Sequence, residues 1–433
     1  MFRDFFRSRR AGVAVITALS LPGAMTAIGG AVDFSRVVQL HDAIQDVADD
    51  ATLATIAVNS AAYKTGITMN ADGTISGGAT KAVSNFNAGY TPPGDVSGVT
   101  PTATATKSGT VMTVNMTVKA TYRTYILGMI GISSVPITVT STSTATVPPY
   151  IDFYLLLDNT PSMGVGATTA DINTMVANTP DKCAFACHED DKPGTDYYAK
   201  AKSLGVTTRI DVVRQATQNL MTTAAATETL ANQYRMAIYS FGKAAGSIDA
   251  KAPTAYKVSS LTSSLSQSST DAGTLDLMTI PYQNYNSDRQ SNFISMLSSM
   301  NTNIPASGDG ASAANPQKVL FFVSDGTNDG YDCAYSNGSS CRRITPIDTT
   351  TCTTLKNRGV KIAVLYTTYL PLPTNSFYNT YVAKYVSPTS QIASQMQACA
   401  SPGLYFEVAP SQGISAAMTA LFQRIVSVVR INA

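Results

Sequence analysis

Residues 11–32 carry no charged side chain and form one apolar stretch. As a helix it would span roughly 33 Å, enough to cross a hydrocarbon core of about 30 Å. Directly afterwards Val37, Leu40, Ile44, Val47, Ala51, Ala54 and Val58 recur at alternating spacings of three and four, with Asp and Gln between them. This pattern predicts a helix with a heptad seam, packed either on the chain's own downstream domain or on partner subunits. From 61 to 148 the chain is rich in Thr, Ser, Gly and Val. Two stretches, 110–120 and 135–146, alternate with period two and predict half-buried strands of a small β-rich module. A short apolar connector, 125–132, lies between them.

Past Pro148-Pro149 the pattern changes again. Short β-branched or aromatic runs at 151–157, 235–241, 319–323, 361–366 and 404–408 are separated by helical patterns at 210–223, 291–300 and 414–429. Such alternation predicts an α/β fold, a doubly wound and mostly parallel sheet with helices on both faces. Ligands in such sheets bind at the carboxyl ends of the strands. The expected order is therefore a basic tip and transmembrane anchor (1–32), an amphipathic helix (33–60), the β-rich module (61–148) and an α/β domain (150–433).

Charge orients the anchor. Arg3, Arg7, Arg9 and Arg10, opposed only by Asp4, precede it, whereas Asp33, Asp42, Asp46, Asp49 and Asp50 follow. The positive-inside bias keeps the N-terminus cytoplasmic and exports the rest, giving a single-pass inner-membrane protein with its bulk periplasmic or at the cell surface. A cleaved signal peptide and a buried soluble helix are the competing readings. Against the first, no small-x-small cleavage site follows and the apolar run continues past Pro22-Gly23; against the second stands the charge asymmetry. Charged residues make up only 13% of the chain and the net charge is +2, which leaves no footprint for nucleic acid.

Within the α/β domain, the first run ends in Leu157-Asp158-Asn159-Thr160-Pro161-Ser162 and the run at 319–323 ends in Ser324-Asp325-Gly326. Taken singly, the first motif is a helix cap or Asx-turn and the second a simple turn. Taken together, two strand-end carboxylates and two hydroxyls make an oxygen-only set suited to a hard cation, Mg²⁺ or else Mn²⁺ or Ca²⁺. The pairing resembles the metal-ion-dependent adhesion site of von Willebrand factor A domains, an Asp-x-Ser-x-Ser motif after the first strand and an Asp-Gly turn after the fourth. Thr160 stands where that pattern has its first serine and keeps the hydroxyl. The resemblance implies a third element, a loop threonine, for which Thr302, Ser307 and Ser312 are the candidates. A bound cation would then leave one position open to an acidic side chain of a partner.

The N-terminal region carries a second resemblance. Arg10-Ala-Gly-Val-Ala-Val, Pro22, Ala31-Val-Asp-Phe-Ser-Arg36 and the helix at 40–58 look like the start of TadE/TadG-family pilus-assembly proteins. Together with the A-type domain, this implies a part in assembling or anchoring a tight-adherence (Flp) pilus. The implied partners are pilus-assembly or pilin-like proteins, met through helix 33–60 and the cation face. A stand-alone surface adhesin is the alternative.

The six cysteines are Cys183, Cys187, Cys333, Cys341, Cys352 and Cys399. In an exported chain an even number favours disulfides. Cys333 with Cys341, and Cys352 with Cys399, are the expected pairs. Cys183-Ala-Phe-Ala-Cys187-His188 is expected to close a local disulfide, with haem attachment or a zinc site as alternatives. Catalysis is not expected. The two histidines, His41 and His188, leave no Ser-His-Asp set, and there is no phosphate loop or nucleophile elbow.

Overall fold

The computed structural model describes residues 9–246, 253–283, 285, 290–331, 333, 341–369, 371–373, 375–409 and 413–431. The chain divides into two compact units, Met1–Val147 and Pro148–Ala433.

In the first unit the apolar stretch and the amphipathic stretch are one continuous helix, α1 (Arg9–Ile56), with Pro22 inside it. Among the described residues it is the helix long and apolar enough to cross a membrane. Its C-terminal half packs on the unit's own sheet. Leu40, Ile44, Ala48 and Ala51 are buried there, and Thr52 Oγ1 meets the Ser141 and Ser143 hydroxyls at 2.9 and 2.8 Å. The expected seam drifts, because a straight helix has 3.6 rather than 3.5 residues per turn. Ala54 thus ends up exposed, and Val58 is exposed in the turn beyond the helix's last residue. The buried part of this helix is occupied by its own sheet and is not free for a partner subunit.

Helices α2 (Ala61–Thr68) and α3 (Gly78–Gly89) and the antiparallel strands β1 (Gly73–Thr74), β2 (Val96–Ser108), β3 (Val111–Arg123) and β4 (Ser134–Thr146) complete the unit, in sheet order β1-β2-β3-β4. Alternation in β3 buries Met112, Val114, Met116, Val118, Ala120 and Tyr122 on one face. Strand β2 and helices α2 and α3 escaped the sequence reading because Thr, Ser and Ala blur both periodicities.

The second unit contains β5 (Ile151–Leu157), α4 (Thr169–Asn178), α5 (Tyr197–Ser203), α6 (Arg209–Thr227), β6 (Tyr234–Ser240), β7 (Tyr256–Thr262), α7 (Leu265–Ala272) and α8 (Phe293–Asn303). There follow β8 (Gln317–Ser324), the hairpin β9 (Thr327–Tyr331) and β10 (Arg342–Pro346), α9 (Thr350–Asn357), β11 (Lys361–Thr367), α10 (Gln391–Cys399), β12 (Tyr405–Val408) and α11 (Ile414–Ile431). Six strands form one sheet in the order β12-β11-β8-β5-β6-β7, parallel except for the edge strand β7.

Every residue of β5 is buried, as a central strand covered on both faces requires. Ile151, Phe153, Leu155 and Leu157 pack with α6 and α11, whereas Tyr154 and Leu156 face α8, α9 and α10. A disulfide between Cys352 and Cys399 joins α9 to α10, and one between Cys333 and Cys341 links the segment after β9 to the start of β10. Both pairings are the expected ones.

At the amino edge of the sheet, Asp152 is buried in β5. Its carboxylate accepts two bonds from Arg235 on β6, at 2.6 and 2.8 Å, and one from Lys318 on β8 at 2.6 Å. Asp152→Ala would leave the nearly buried Lys318 without its counter-charge. It is expected to destabilise the second unit by about 3–5 kcal/mol in urea unfolding. A loss below about 1 kcal/mol would mean the triad is solvated rather than structural.

Candidate cation site

Both expected acidic motifs lie at the carboxyl edge of the sheet. The chain enters at β5, builds outward through β6 and β7, then returns to place β8 on the other side of β5. The crevice between β5 and β8 is therefore the point where strand order reverses, the place where such sheets bind ligands.

Beyond Leu157, the Asp158 N–H bonds Val323 O at 3.0 Å and ties the ends of the two strands together. Pro161 then opens a 3₁₀ turn, Pro161–Gly164. This turn sets Ser162 Oγ 3.2 Å from Thr160 Oγ1. Asp158 Oδ1 accepts the Thr160 N–H at 3.0 Å and its hydroxyl at 2.7 Å, and Oδ2 accepts the Ser324 hydroxyl at 2.6 Å. Asp325 follows β8; its Oδ1 accepts the Thr327 N–H at 3.2 Å, and the nearby Ser162 hydroxyl helps hold its carboxyl down against burial. Gly326 turns the chain at φ +78°, where a Cβ would fall 2.5 Å from Ile392 Cγ2, so only glycine fits. Asp158, Thr160 and Ser162 thus form one hydrogen-bonded set, with the Asp325 charge close enough to act on Asp158.

The third element is corrected. Thr302 is exposed on α8, Ser307 accepts the Lys318 N–H beside the start of β8, and Ser312 precedes that strand too. In a parallel sheet the segment entering a strand lies at the amino edge, opposite the site. The hydroxyl that does reach the site is Ser291, which donates to Thr160 Oγ1 at 2.9 Å. Its position at the start of the α8 pattern was the available signal, because a helix that returns across a parallel sheet begins at the carboxyl edge.

Arg209, the first residue of α6, was not anticipated. It is fully buried, with Nη1 3.4 Å from Asp325 Oδ2 and its guanidinium 5.1 Å from the centre of the Tyr369 ring. Its Nε and Nη2 have no hydrogen-bond partner among the described residues. Burial pushes the Asp158 carboxyl up to about 7, the nearby Asp325 charge adds to the rise, and the Ser324 and Thr160 hydrogen bonds only partly oppose it. Asp325 is also raised by burial, against the pull of Arg209. With both acids ionised, two negative charges face one positive, a net deficit of one.

That deficit, with an all-oxygen donor set, fits a hard divalent cation. Asp158, Asp325 and the hydroxyls of Thr160 and Ser162 are the groups that would hold one, with Ser291 behind Thr160; among the described residues there is no cluster of three or more His, Cys, Asp or Glu.

The site opens into a cleft lined by Ser162, Ser291, Thr327, Tyr369, Phe377 and Cys183 among others. Cys187 lines it too, and both cysteines are free thiols, which corrects the expected local disulfide. Here the backbone sets the geometry. Phe185 pairs with Val165, and Ala186 N–H bonds Gly164 O at 3.0 Å, leaving the two thiols hydrogen-bonded to each other. That bond lowers Cys183 and, with burial, raises Cys187. His188 Nδ1 pairs with Asp196 at 2.7 Å, and the ring packs on Tyr198.

The second unit is therefore an α/β, von Willebrand factor A-like domain with an oxygen-rich site at its switch point. No family model matches the sequence, and no curated protein matches it. Among solved structures, the chain is similar to the vWF domain of the type V pili tip protein Mfa5 from Porphyromonas gingivalis, at 11% identity over 66% of this chain and 97% of that one, TM-score 0.32. It is also similar to the pilus adhesin SpaC from Lactobacillus rhamnosus GG (14% identity, 79% of this chain, 35% of that one, TM-score 0.34). A third is proximal thread matrix protein 1 from the mussel byssus with a zinc-occupied MIDAS motif (13% identity, 64% and 46%, TM-score 0.33). The chain spans less than half the length of the last two.

Two outcomes follow from the electrostatics. A carboxyl raised in the folded state favours folding below its unfolded pKa and loses that contribution as pH rises through the folded one. In chelator, the second unit should therefore melt at least about 5 °C higher near pH ~5.5 than near pH ~8, with the gap much reduced in Asp158→Asn. An equal gap in the variant would acquit Asp158. For the thiols, iodoacetamide should label Cys183 well before Cys187 in the native chain, as mapped by mass spectrometry. Equal rates would remove the asymmetry.

Proposed function

We propose that this chain is an exported, membrane-anchored component of tight-adherence (Flp) pilus assembly or anchoring. It binds protein partners through a divalent cation held at Asp158 and Asp325, and it is a binding protein, not an enzyme. The observation that carries the binding role is the meeting of two buried, under-neutralised carboxylates at the switch point of the sheet. Anchoring is supported by the apolar stretch 11–32 of α1, which follows Arg3, Arg7, Arg9 and Arg10. The pilus role is supported by the likeness of residues 10–58 to TadE/TadG-family proteins.

Asp158 and Asp325 would hold the ion together with the Ser162 and Thr160 hydroxyls. Ser291 orients Thr160 by donating to its Oγ1, and Arg209 steadies Asp325. A bound divalent ion supplies a positive centre with a position open to a partner's carboxylate. Two acids, one guanidinium and one divalent ion sum to one positive charge, which an acidic side chain cancels inside a water-poor crevice where charges interact strongly.

Calorimetry is expected to show saturable Mg²⁺ or Mn²⁺ binding to the intact chain. Asp158→Ala should weaken it about 100-fold or more while the unit still unfolds cooperatively. No binding by the unaltered chain would leave the fold and remove the mechanism. In intact cells, crosslinking should capture a pilus-assembly protein with the native chain and lose it with Asp158→Ala. Undiminished capture by the variant would separate partner binding from the cation, and capture of host-surface molecules alone would favour the stand-alone adhesin.

A further inference from the structure

The connector 125–132, which the binding role does not use, stands out within the first unit. After Arg123 the chain carries no charged residue until Asp152. A 3₁₀ turn, Leu127–Ile130, occupies the middle of the connector and buries none of its residues. Tyr125, Met129, Ile130 and Ile132 are exposed at 67, 77, 54 and 48%. An open apolar turn of this kind is unusual on a water-facing surface.

Its position explains it. The turn lies against α1 at Met25, Ile28 and Gly29. A Cβ on Gly29 would fall 2.0 Å from Ile126 Cγ2, so glycine at this position is what lets the turn sit against the helix. Asp33, one helical turn further on, is buried and clamps the loop from above. Its carboxylate accepts the N–H groups of Tyr125, Ile126 and Leu127 at 3.2, 2.9 and 2.8 Å and the Tyr122 hydroxyl at 2.9 Å. Gly29 and Met25 precede Asp33 by about 6 and 12 Å along the axis. The turn is therefore level with the apolar part of α1, whose Leu19, Leu21, Met25 and Ile28 are themselves exposed. Beyond Asp33, Phe34 is still exposed, and polar pairing begins at Arg36, which meets Asp95 at 3.0 Å.

We propose that residues 125–132 are a second membrane contact, dipping into the leaflet on the side of the folded unit beside the anchor. The inference rests on the reading of α1 as a membrane span. The occupant is lipid, because the exposed face of the turn continues the exposed apolar face of the helix at the same depth. Tyr125 sits at the polar margin, where interfacial aromatic residues concentrate. The clamp at Asp33 satisfies a carboxylate that would otherwise stand unpaired at the membrane boundary. Two contacts fix the tilt and rotation of the unit on the membrane, which a single helix would leave free.

The chain has no tryptophan, so introduced ones report alone. Met129→Trp and Leu19→Trp are placed in the full-length chain, reconstituted in phosphatidylcholine vesicles with and without brominated acyl chains. Val58→Trp, exposed in the turn just past the end of α1, serves as the aqueous control. Both Met129→Trp and Leu19→Trp are expected to emit in the blue and to lose at least about half their intensity to bromolipid, with Val58→Trp unquenched. Quenching at Leu19→Trp but not at Met129→Trp overturns the loop contact and leaves the anchor standing. Blue emission at Met129→Trp without quenching also overturns it, since protein would then cover the turn. No quenching at Leu19→Trp overturns the span and the proposal with it. Tyr125→Trp, a ring-for-ring change, repeats the reading at the margin should Met129→Trp fail to fold.

Discussion

Two carboxylates that end neighbouring parallel strands share one dry crevice with a single guanidinium, and much of the second unit is arranged around that imbalance. Removing a carboxylate from water is costly unless hydrogen bonds or opposite charge replace the solvent. Asp158 therefore sits within reach of the Thr160 N–H and hydroxyl and of the Ser324 hydroxyl, and Asp325 takes the Thr327 N–H and the edge of Arg209. These contacts orient both acids without neutralising them. The strand order makes the arrangement possible, because only at the β5–β8 boundary do two carboxyl ends open side by side into a crevice.

The same sheet holds a contrasting case. At its amino edge Asp152, equally buried, meets both Arg235 and Lys318, so one negative charge faces two positive ones. At the carboxyl edge two negative charges face one positive. The first arrangement is complete as it stands and ties three strands together. The second is short of positive charge, and opens into a cleft to which it presents Ser162 and Ser291. Chemistry of one kind thus serves stability at one end of the strands and leaves binding capacity at the other.

Asp158 and Asp325 were legible in the sequence because each follows within two residues of an apolar run, 153–157 and 319–323, and a buried strand announces where its carboxyl end lies. Ser291 and Arg209 were not, because a residue that opens a helix declares its partner only once the topology has decided which edge of the sheet the helix starts from. Thr302, Ser307 and Ser312 misled for the same reason: nearness in the chain to β8 placed them at its entrance, the far side from its exit. The spacing of Cys183 and Cys187 suggested a closed loop, yet the pairing of Phe185 with Val165 governs where those thiols go. In the first unit, heptad spacing located the buried stretch of α1 but not its exact face, since the stripe rotates around a straight helix. The strands of that module were visible only where apolar residues alternate with Thr, as in β3 and the first half of β4.

The most direct test of the central claim is anomalous diffraction from crystals of the chain grown with Mn²⁺. A manganese peak is expected in the crevice, within coordinating distance of oxygens from Asp158, Ser162 or Thr160 and Asp325, with Arg209 still beside Asp325. A map without a peak there at saturating Mn²⁺, or with Arg209 drawn fully between the two carboxylates, would show that the chain's own guanidinium completes the site and that no cation is needed.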